Sequence, residues 1–320
     1  MLDNCMLFTL SANKKLGESV ASALGMKLSE ASISRFPSGE IICEPCETVR
    51  DKDIYIIQST CPPVNENLME VLIFIDSLKR SSAREINVII PYFGYARQDR
   101  KAKPRQPITA KLVADLFKIA GADRIVACDL HAPQIQGFFS CLVDELTAIP
   151  LFSSTILKDK KLNKENTVIV SPDNGGVNRA RKVAERLNAP LAIIDKRRNS
   201  SNEPQVMNII GHVDGKDCLL VDDMIDTAGS AVAAAEALVN AGAKSVRIVA
   251  THAVLSDPAY ERLSNSKIDE IIVSDSIPLP DKFSTLNCKI VSLAPMLAAA
   301  IKRIQLGEAL SVVYDMYRNN

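Results

Sequence analysis

Two acidic residues stand side by side at the end of an apolar run in the segment LLVDDMIDTAGSAVAAAEALV, residues 219–239. Asp222 and Asp223 carry like charges, so something outside the chain is expected to compensate them, either sugar hydroxyls or a metal ion. Asp226, Thr227, Ala228, Gly229 and Ser230 follow at once and open a helix. Small residues let backbone N–H groups approach an anion, the two hydroxyls add donors, and a helix N-terminus favours negative charge. A phosphate in this loop and two hydroxyls at the acids describe ribose 5-phosphate. The plainer alternative is a helix cap with spare acids on a solvated turn.

Three further clusters could do chemistry. Arg97, Arg100, Lys101, Lys103 and Arg105 form a basic run beside the helix breakers Pro104 and Pro107, with Gly94 upstream as a hinge. Such a run is either a solvated loop or a mobile flap that closes on phosphates. His131 follows the strand-end residues Asp129 and Leu130, and Lys196-Arg197-Arg198 follows the apolar run 191–194. Cations at a strand end suit a transferring phosphoryl group, because that chemistry rests on positioning and charge stabilisation. Cys43 and Cys46 form a C-x-x-C with no second pair and no nearby histidine, so they read as structural thiols.

Elements must position these groups. Short Val- and Ile-rich runs at 54–57, 88–90, 124–128, 168–170, 191–194, 218–221, 246–250 and 271–273 predict buried strands. Helix-length segments at 67–79, 108–120, 177–187 and 230–241 lie between them, with Gly121 and Gly242 as C-caps. Alternating strands and helices predict an α/β chain with mainly parallel sheets. The pattern runs twice. Two tandem domains are expected, 1–149 and 150–293, with the last helix (294–320) joining the first.

Composition narrows the function classes. The 320 residues are 47% hydrophobic with zero formal net charge, so bulk charge argues neither for nor against nucleic acid and only local patches can. Trp is absent and aromatics are 5%, against a stacking platform for single strands. No apolar stretch reaches the roughly 18–20 residues of a membrane span, and the N-terminus lacks the basic start of a signal peptide. The 8 scattered cysteines suit a reducing cytoplasm.

The stretch from 219 resembles the phosphoribosyl-binding motif of the type I phosphoribosyltransferase fold. FPSGE (36–40), PYFGYARQDRKAKPRQPITAK (91–111), CDLHAPQIQGFF (128–139), VSPDNGGVNRAR (170–181) and DKRR (195–198) resemble ribose-phosphate pyrophosphokinases, also called phosphoribosyl pyrophosphate synthetases. The resemblance spans nearly the whole chain, in order. It implies two type I phosphoribosyltransferase-like domains, each with a mainly parallel sheet flanked by helices. It also implies a cytoplasmic enzyme of nucleotide biosynthesis that moves diphosphate from MgATP to ribose 5-phosphate. No G-x-x-x-x-G-K-[ST] is present, so the nucleotide is not held by a P-loop. The alternatives are a phosphoribosyltransferase, which would lack the ATP segments, and a non-catalytic regulatory subunit, which would have lost His131, Lys196 and Arg198.

The resemblance also implies site residues. Lys196, Arg198 and His131 are catalytic. Phe36, Ser38, Gly39, Glu40, Arg97, Gln98 and Asp99 bind ATP, the 36–40 loop reaching a neighbouring subunit. Arg198, Asp222, Asp223 and Asp226 to Ser230 bind ribose 5-phosphate, and His131 and Asp173 hold Mg²⁺. A homohexamer activated by inorganic phosphate and inhibited by ADP is implied, with Arg50, Arg80, Ser81, Ser82 and Asp144 in the regulatory segments. The chain departs from the family at Ser38, where Asp is usual, and at Val313, where Ser is usual.

Overall fold

The computed structural model describes residues 4–159, 163–197 and 206–318, without the side chains of 196, 197, 206 and 207. Two compact units emerge. One comprises Met1–Thr147, Ser276–Pro278 and Ser292–Asp315; the other Ala148–Asp275, Leu279–Val291 and Met316–Asn320. Among the described residues no helix is long and apolar enough to cross a membrane.

The first unit contains β1 (Cys5–Thr9), α1 (Lys14–Leu24), the hairpin β2 (Ala31–Arg35) and β3 (Ile41–Pro45), β4 (Asp53–Ile57), α2 (Val64–Arg80), β5 (Glu85–Ile90), α3 (Thr109–Ala120), β6 (Arg124–Cys128) and β7 (Leu142–Leu146). Five of these strands form a parallel sheet in chain order, β1-β4-β5-β6-β7. Phe8, Ile54, Ile56, Val88 and Ile125 belong to one core cluster. Strand alternation turns Leu7, Tyr55, Ile57, Ile89 and Val126 to the other face, where they are buried too. Burial on both faces is why these strands read as unbroken apolar runs.

The second unit contains α4 (Ile149–Leu157), β8 (Thr167–Ser171), α5 (Val177–Leu187), β9 (Leu191–Arg197), β10 (Val206–Ile210), β11 (Asp217–Ile225), α6 (Gly229–Asn240), β12 (Ser245–Ala253), α7 (Ala259–Ser264), β13 (Glu270–Ser274) and β14 (Cys288–Val291). Its sheet runs β10-β9-β8-β11-β12-β13-β14, parallel except where β10 meets β9. From β8 the chain builds outward through β9 and β10. It then returns to the other side of β8 with β11 and builds outward again. That reversal between β8 and β11 opens a crevice beyond their carboxyl ends, where ligands bind in open α/β sheets.

Two expectations change. The strand expected to end at the paired acids continues to Ile225, because β12 runs beside it as far as Ala253. Gly121 caps α3 as expected, but the cap of α6 is Ala241, and Gly242 follows it.

The C-terminal helix, Ala294–Leu306, is tied to the second face of the first sheet. The Tyr55 hydroxyl donates to Gln305 Oε1 at 2.9 Å, and Gln305 Nε2 donates to Asp53 Oδ2 at 2.7 Å. Arg84 Nε donates to Asp53 Oδ1 at 2.7 Å. Burial by itself would raise Asp53, but the hydrogen bonds from Arg84 and Gln305 and the charge of Arg84 outweigh it and hold the carboxyl below its usual range. A carboxyl lowered in the fold contributes stability above its unfolded pKa of about 3.9 and loses it as pH falls through the folded value. Asp53→Asn is therefore expected to cost ~2 kcal/mol at pH 7, the size of a lost charge-assisted hydrogen bond, and less near pH 3. Urea unfolding at the two pH values checks this, and equal losses would contradict it.

Candidate active site

β11 pairs with β8 only as far as Leu220 opposite Val170, while its pairing with β12 continues to Ile225. Asp222 and Asp223 thus lie on a strand that has passed the end of its β8 pairing. Adjacent strand residues normally face opposite sides, but here one cation reaches both. Arg179 Nη1, from α5, stands 3.6 Å from Oδ1 of Asp222 and 3.6 Å from Oδ1 of Asp223. The backbone N–H of Asp223 donates to Asp222 Oδ1 at 2.8 Å. Burial first, and then the charge of Asp223, pushes Asp222 up to about 7 against the pull of Arg179.

The loop after β11 turns through Ala228, whose φ of 59° is left-handed, and enters α6 with its first backbone donors at the loop. Arg262 of α7 donates from Nη1 to the Thr227 carbonyl at 3.0 Å. Asp226, Thr227, Gly229 and Ser230 are thus gathered at the N-terminus of a helix next to a guanidinium, a setting for a phosphate.

On the other side of the crevice, the loop after β8 carries Asp173, whose Oδ1 accepts from the Gly176 N–H at 2.9 Å. Asn174 Nδ2 donates to Asp195 Oδ1 at 3.2 Å, which ties this loop to β9. Lys196 follows on β9, its side chain outside the described residues. Arg198 lies outside them altogether.

The first unit holds the other expected residues. Phe36, Ser38, Gly39 and Glu40 form the tip of the β2–β3 hairpin. Its turn is closed by Phe36 N–H to the Glu40 carbonyl at 2.9 Å, and Gly39 has φ 93°, which an L side chain rarely adopts. Ser38 Oγ donates to Glu40 Oε2 at 2.6 Å, so two of the expected nucleotide-loop residues are bonded to each other. Phe36 is 53% exposed.

Residues 91–108 form no helix or strand, and the basic residues from Arg97 to Arg105 are exposed along it. The segment returns to α3 through Gln98, whose Oε1 accepts from the Thr109 hydroxyl at 2.6 Å; Asp99 Oδ2 accepts from Gln134 at 2.7 Å. Gly94 is not a hinge. It is buried, and a Cβ there would stand 2.4 Å from the Thr60 carbonyl oxygen, so close packing explains the glycine. Asp129 has φ 40°, tolerated by Asp, and turns the chain out of β6 to leave His131 exposed.

Among the described residues no group of three His, Cys, Asp or Glu side chains forms a metal cage. Mg²⁺ keeps several waters and binds few protein ligands beside substrate phosphates. An exposed carboxylate such as Asp173 is a hard donor that fits that mode. Cys43 is buried, and burial, then Glu70 and Glu44, push its thiol up to about 12, as befits a structural residue.

The expected regulatory residues lie on several elements of the first unit. Arg50 Nη1 donates to Ser82 Oγ at 3.1 Å, and Ser81 adjoins them. Arg80 is paired with Asp76 at 2.7 Å, and Asp144, on the edge strand β7, is bonded to Arg124 of β6. Val313 is 1% exposed and stands in the core.

Sequence reasoning missed Arg179 and Arg262. Arg179 lies inside the VSPDNGGVNRAR segment, one position from the buried stripe Ala180, Val183, Ala184 and Leu187 of α5. Its type was visible, but its direction depends on which strand α5 covers.

The chain matches the N-terminal domain of ribose phosphate pyrophosphokinase over residues 5–121 and the phosphoribosyl synthetase-associated domain over residues 198–315. A ribose-phosphate pyrophosphokinase of Caldanaerobacter subterraneus is 54% identical over 96% of this chain and 97% of its own. One of Oceanobacillus iheyensis is 51% identical over 97% of this chain and 96% of its own. The crystal structure of phosphoribosylpyrophosphate synthetase from Mycobacterium smegmatis superposes with a TM-score of 0.89 at 43% identity, covering 95% of this chain and 99% of that one.

The acid pair yields a stability prediction. A carboxyl raised in the fold keeps a proton that the unfolded chain has released above its pKa of about 3.9, so folding is favoured at the low end of that window. The advantage declines as pH rises to the folded value near 7. Asp222→Asn mimics the protonated acid at every pH. The variant is expected to unfold at higher urea than wild type at pH 8, with the gap narrowing at pH 5. A gap that does not change with pH would contradict it.

Proposed function

This chain belongs to the ribose-phosphate pyrophosphokinase family, and from that premise we propose how its own residues carry the reaction. The enzyme has two phosphoribosyltransferase-like α/β domains and transfers the β,γ-diphosphoryl group of ATP to the C1 hydroxyl of D-ribose 5-phosphate. The C1 oxygen bonds to the β-phosphorus as the bond from that phosphorus to the bridging oxygen of AMP breaks. The products are 5-phospho-α-D-ribose 1-diphosphate and AMP.

The observation that carries this reading is the acid pair on β11 followed by a phosphate-sized loop on α6. Asp222 and Asp223 accept hydrogen bonds from ribose hydroxyls, and the backbone and hydroxyls of Asp226–Ser230 hold the 5-phosphate, with Arg198 beside the sugar. Lys196, Arg198 and His131 stabilise charge on the transferring group, where preorganised donors act most strongly. Arg97, Gln98 and Asp99 bind ATP, and the other basic residues of the exposed run close over its phosphates. Mg²⁺, held by Asp173 and His131, supplies neutralisation of the phosphate charge when bound.

The hairpin tip, with Phe36 half exposed beside Ser38 and Glu40, suits the nucleotide of a neighbouring subunit in a homohexamer. The regulatory reading, with phosphate as activator and ADP as inhibitor, draws on Asp144 of the edge strand β7 and on the Arg50–Ser82 corner before β4 and β5, and a neighbouring subunit would complete it. The setting is the cytoplasm.

AMP formation from MgATP, measured with and without ribose 5-phosphate, tests the function. AMP is expected only when the sugar is present, and sugar-independent release would overturn the reading. Lys196→Ala is expected to lower turnover by ~10²–10³, the effect of removing one preorganised charge stabiliser, with thermal stability unchanged. Near-normal turnover would make Lys196 a solvated strand-end residue.

A further inference from the structure

One face of the β2–β3 hairpin lies against α2. Strand alternation puts Ala31, Ile33 and Arg35 of β2 on one side, and the antiparallel register sets them opposite Pro45, Cys43 and Ile41. Cys43 is buried in the core cluster that holds Leu68, Val71 and Leu72 of α2, and Ala31, Ile33 and Ile41 pack against that cluster. Arg35 is the next residue on this face and the last before the 36–40 tip. Its Nη1 stands 2.6 Å from Glu66 Oε2, in the first turn of α2, and donates to the Gly39 carbonyl at 3.3 Å. One guanidinium therefore links α2 to the turn that presents Phe36, Ser38 and Glu40.

The same turn of α2 reaches the other segment expected to bind nucleotide. Asn65 Oδ1 accepts from the Tyr95 hydroxyl. Tyr95 has φ 66°, in the left-handed region, and its carbonyl accepts from the Gln98 N–H at 2.9 Å. It thus begins the tight turn that carries Arg97 and Gln98. Neither contact is needed to build α2, whose buried stripe runs through Leu68, Val71, Leu72 and Ile75. Glu66 would suit a helix N-terminus as an acid facing the dipole. That plainer role explains neither the reach of Arg35 from the last rung of the hairpin nor the bond from Tyr95 to Asn65.

We propose that the first turn of α2 positions both nucleotide-binding segments, Glu66 holding the hairpin tip through Arg35 and Asn65 holding the 95–98 turn through Tyr95. This rests on the reading of the hairpin tip and of residues 97–99 as nucleotide-binding. Arg35 and Glu66 are 47% and 48% exposed, so their pair is one of small energy. Its effect is on the fraction of molecules in which the tip is held ready, and apparent affinity falls in proportion to that fraction. The tip is read as serving a neighbouring subunit and the 95–98 turn as serving its own, so every site of a uniform assembly carries both defects.

Steady-state kinetics of the full chain test the proposal. Glu66→Gln removes the charge from the pair, and Tyr95→Phe removes the hydroxyl that reaches Asn65. Each is expected to raise KM for MgATP about 3–5-fold, the upper range for an exposed pair. KM for ribose 5-phosphate and turnover at saturation should stay nearly unchanged. Reversing the pair gives a readout that a helix-dipole role would not move. Arg35→Glu should raise KM for MgATP at least as much, and Arg35→Glu combined with Glu66→Arg should recover part of the loss. No recovery, equal rises for both substrates, or failure of either Glu66→Gln or Tyr95→Phe to raise KM for MgATP would overturn the joint role. Phe36→Ala separates the two levels. If it leaves KM for MgATP unchanged, the reading of the hairpin tip fails. If it raises that KM while Glu66→Gln and Tyr95→Phe do not, only the role of α2 fails.

Discussion

Two neighbouring carboxylates, largely withdrawn from water, are the constraint around which the second unit is arranged. Such a pair is costly unless cations or bound donors compensate it. The strand order supplies the place. Because β8 and β11 are neighbours from which the chain departs in opposite directions, their carboxyl ends face a crevice instead of a crossing connection. α5 and α6 begin there, and each contributes what its position allows: α5 a guanidinium over both acids, α6 a helix N-terminus next to them. Arg262 holds the intervening loop by its Thr227 carbonyl.

The first unit solves a different problem. Its five strands lie in chain order, so no reversal opens a crevice within its sheet. The residues expected to bind nucleotide and metal sit on excursions from a sheet buried on both faces. The hairpin tip is held by its own turn bonds, the 91–108 segment is anchored at Gly94 against Thr60 and at Gln98 against Thr109, and Asp129 turns His131 outward. Arg100, Lys101, Lys103 and Arg105 make no ion pair among the described residues, which leaves their charge available to an anionic ligand.

Much of this was legible in the sequence. β6 and α5 have the bounds read from their residues, because an apolar run buried on two faces and a stripe at helical spacing leave strong local marks. The paired acids and the small-residue loop raised the expectation of a phosphosugar by type and order, and the structure brings them together at one strand end and the helix N-terminus after it. The edge elements were less visible. β7, with sequence LVDEL, and β14, with CKIV, are short and partly exposed, and neither carries an unbroken apolar run. Gly94 looked like a hinge because sequence shows a glycine's freedom, whereas only packing shows the Thr60 carbonyl that forbids a side chain.

The sequence by itself determined the chemistry of the groups: which residues could accept from hydroxyls, which could carry cationic charge, and where loops would begin. Only the tertiary structure decided which of them meet. Arg179 reaches the acids from a helix earlier in the chain, and Arg262, 35 residues after Thr227, reaches the loop after β11 from α7. Strand order and helix direction are set by long-range packing over the whole sheet. A local pattern records the face that is buried but not the partner that covers it, so the two guanidiniums could not be placed until β8, β11 and β12 were seen side by side.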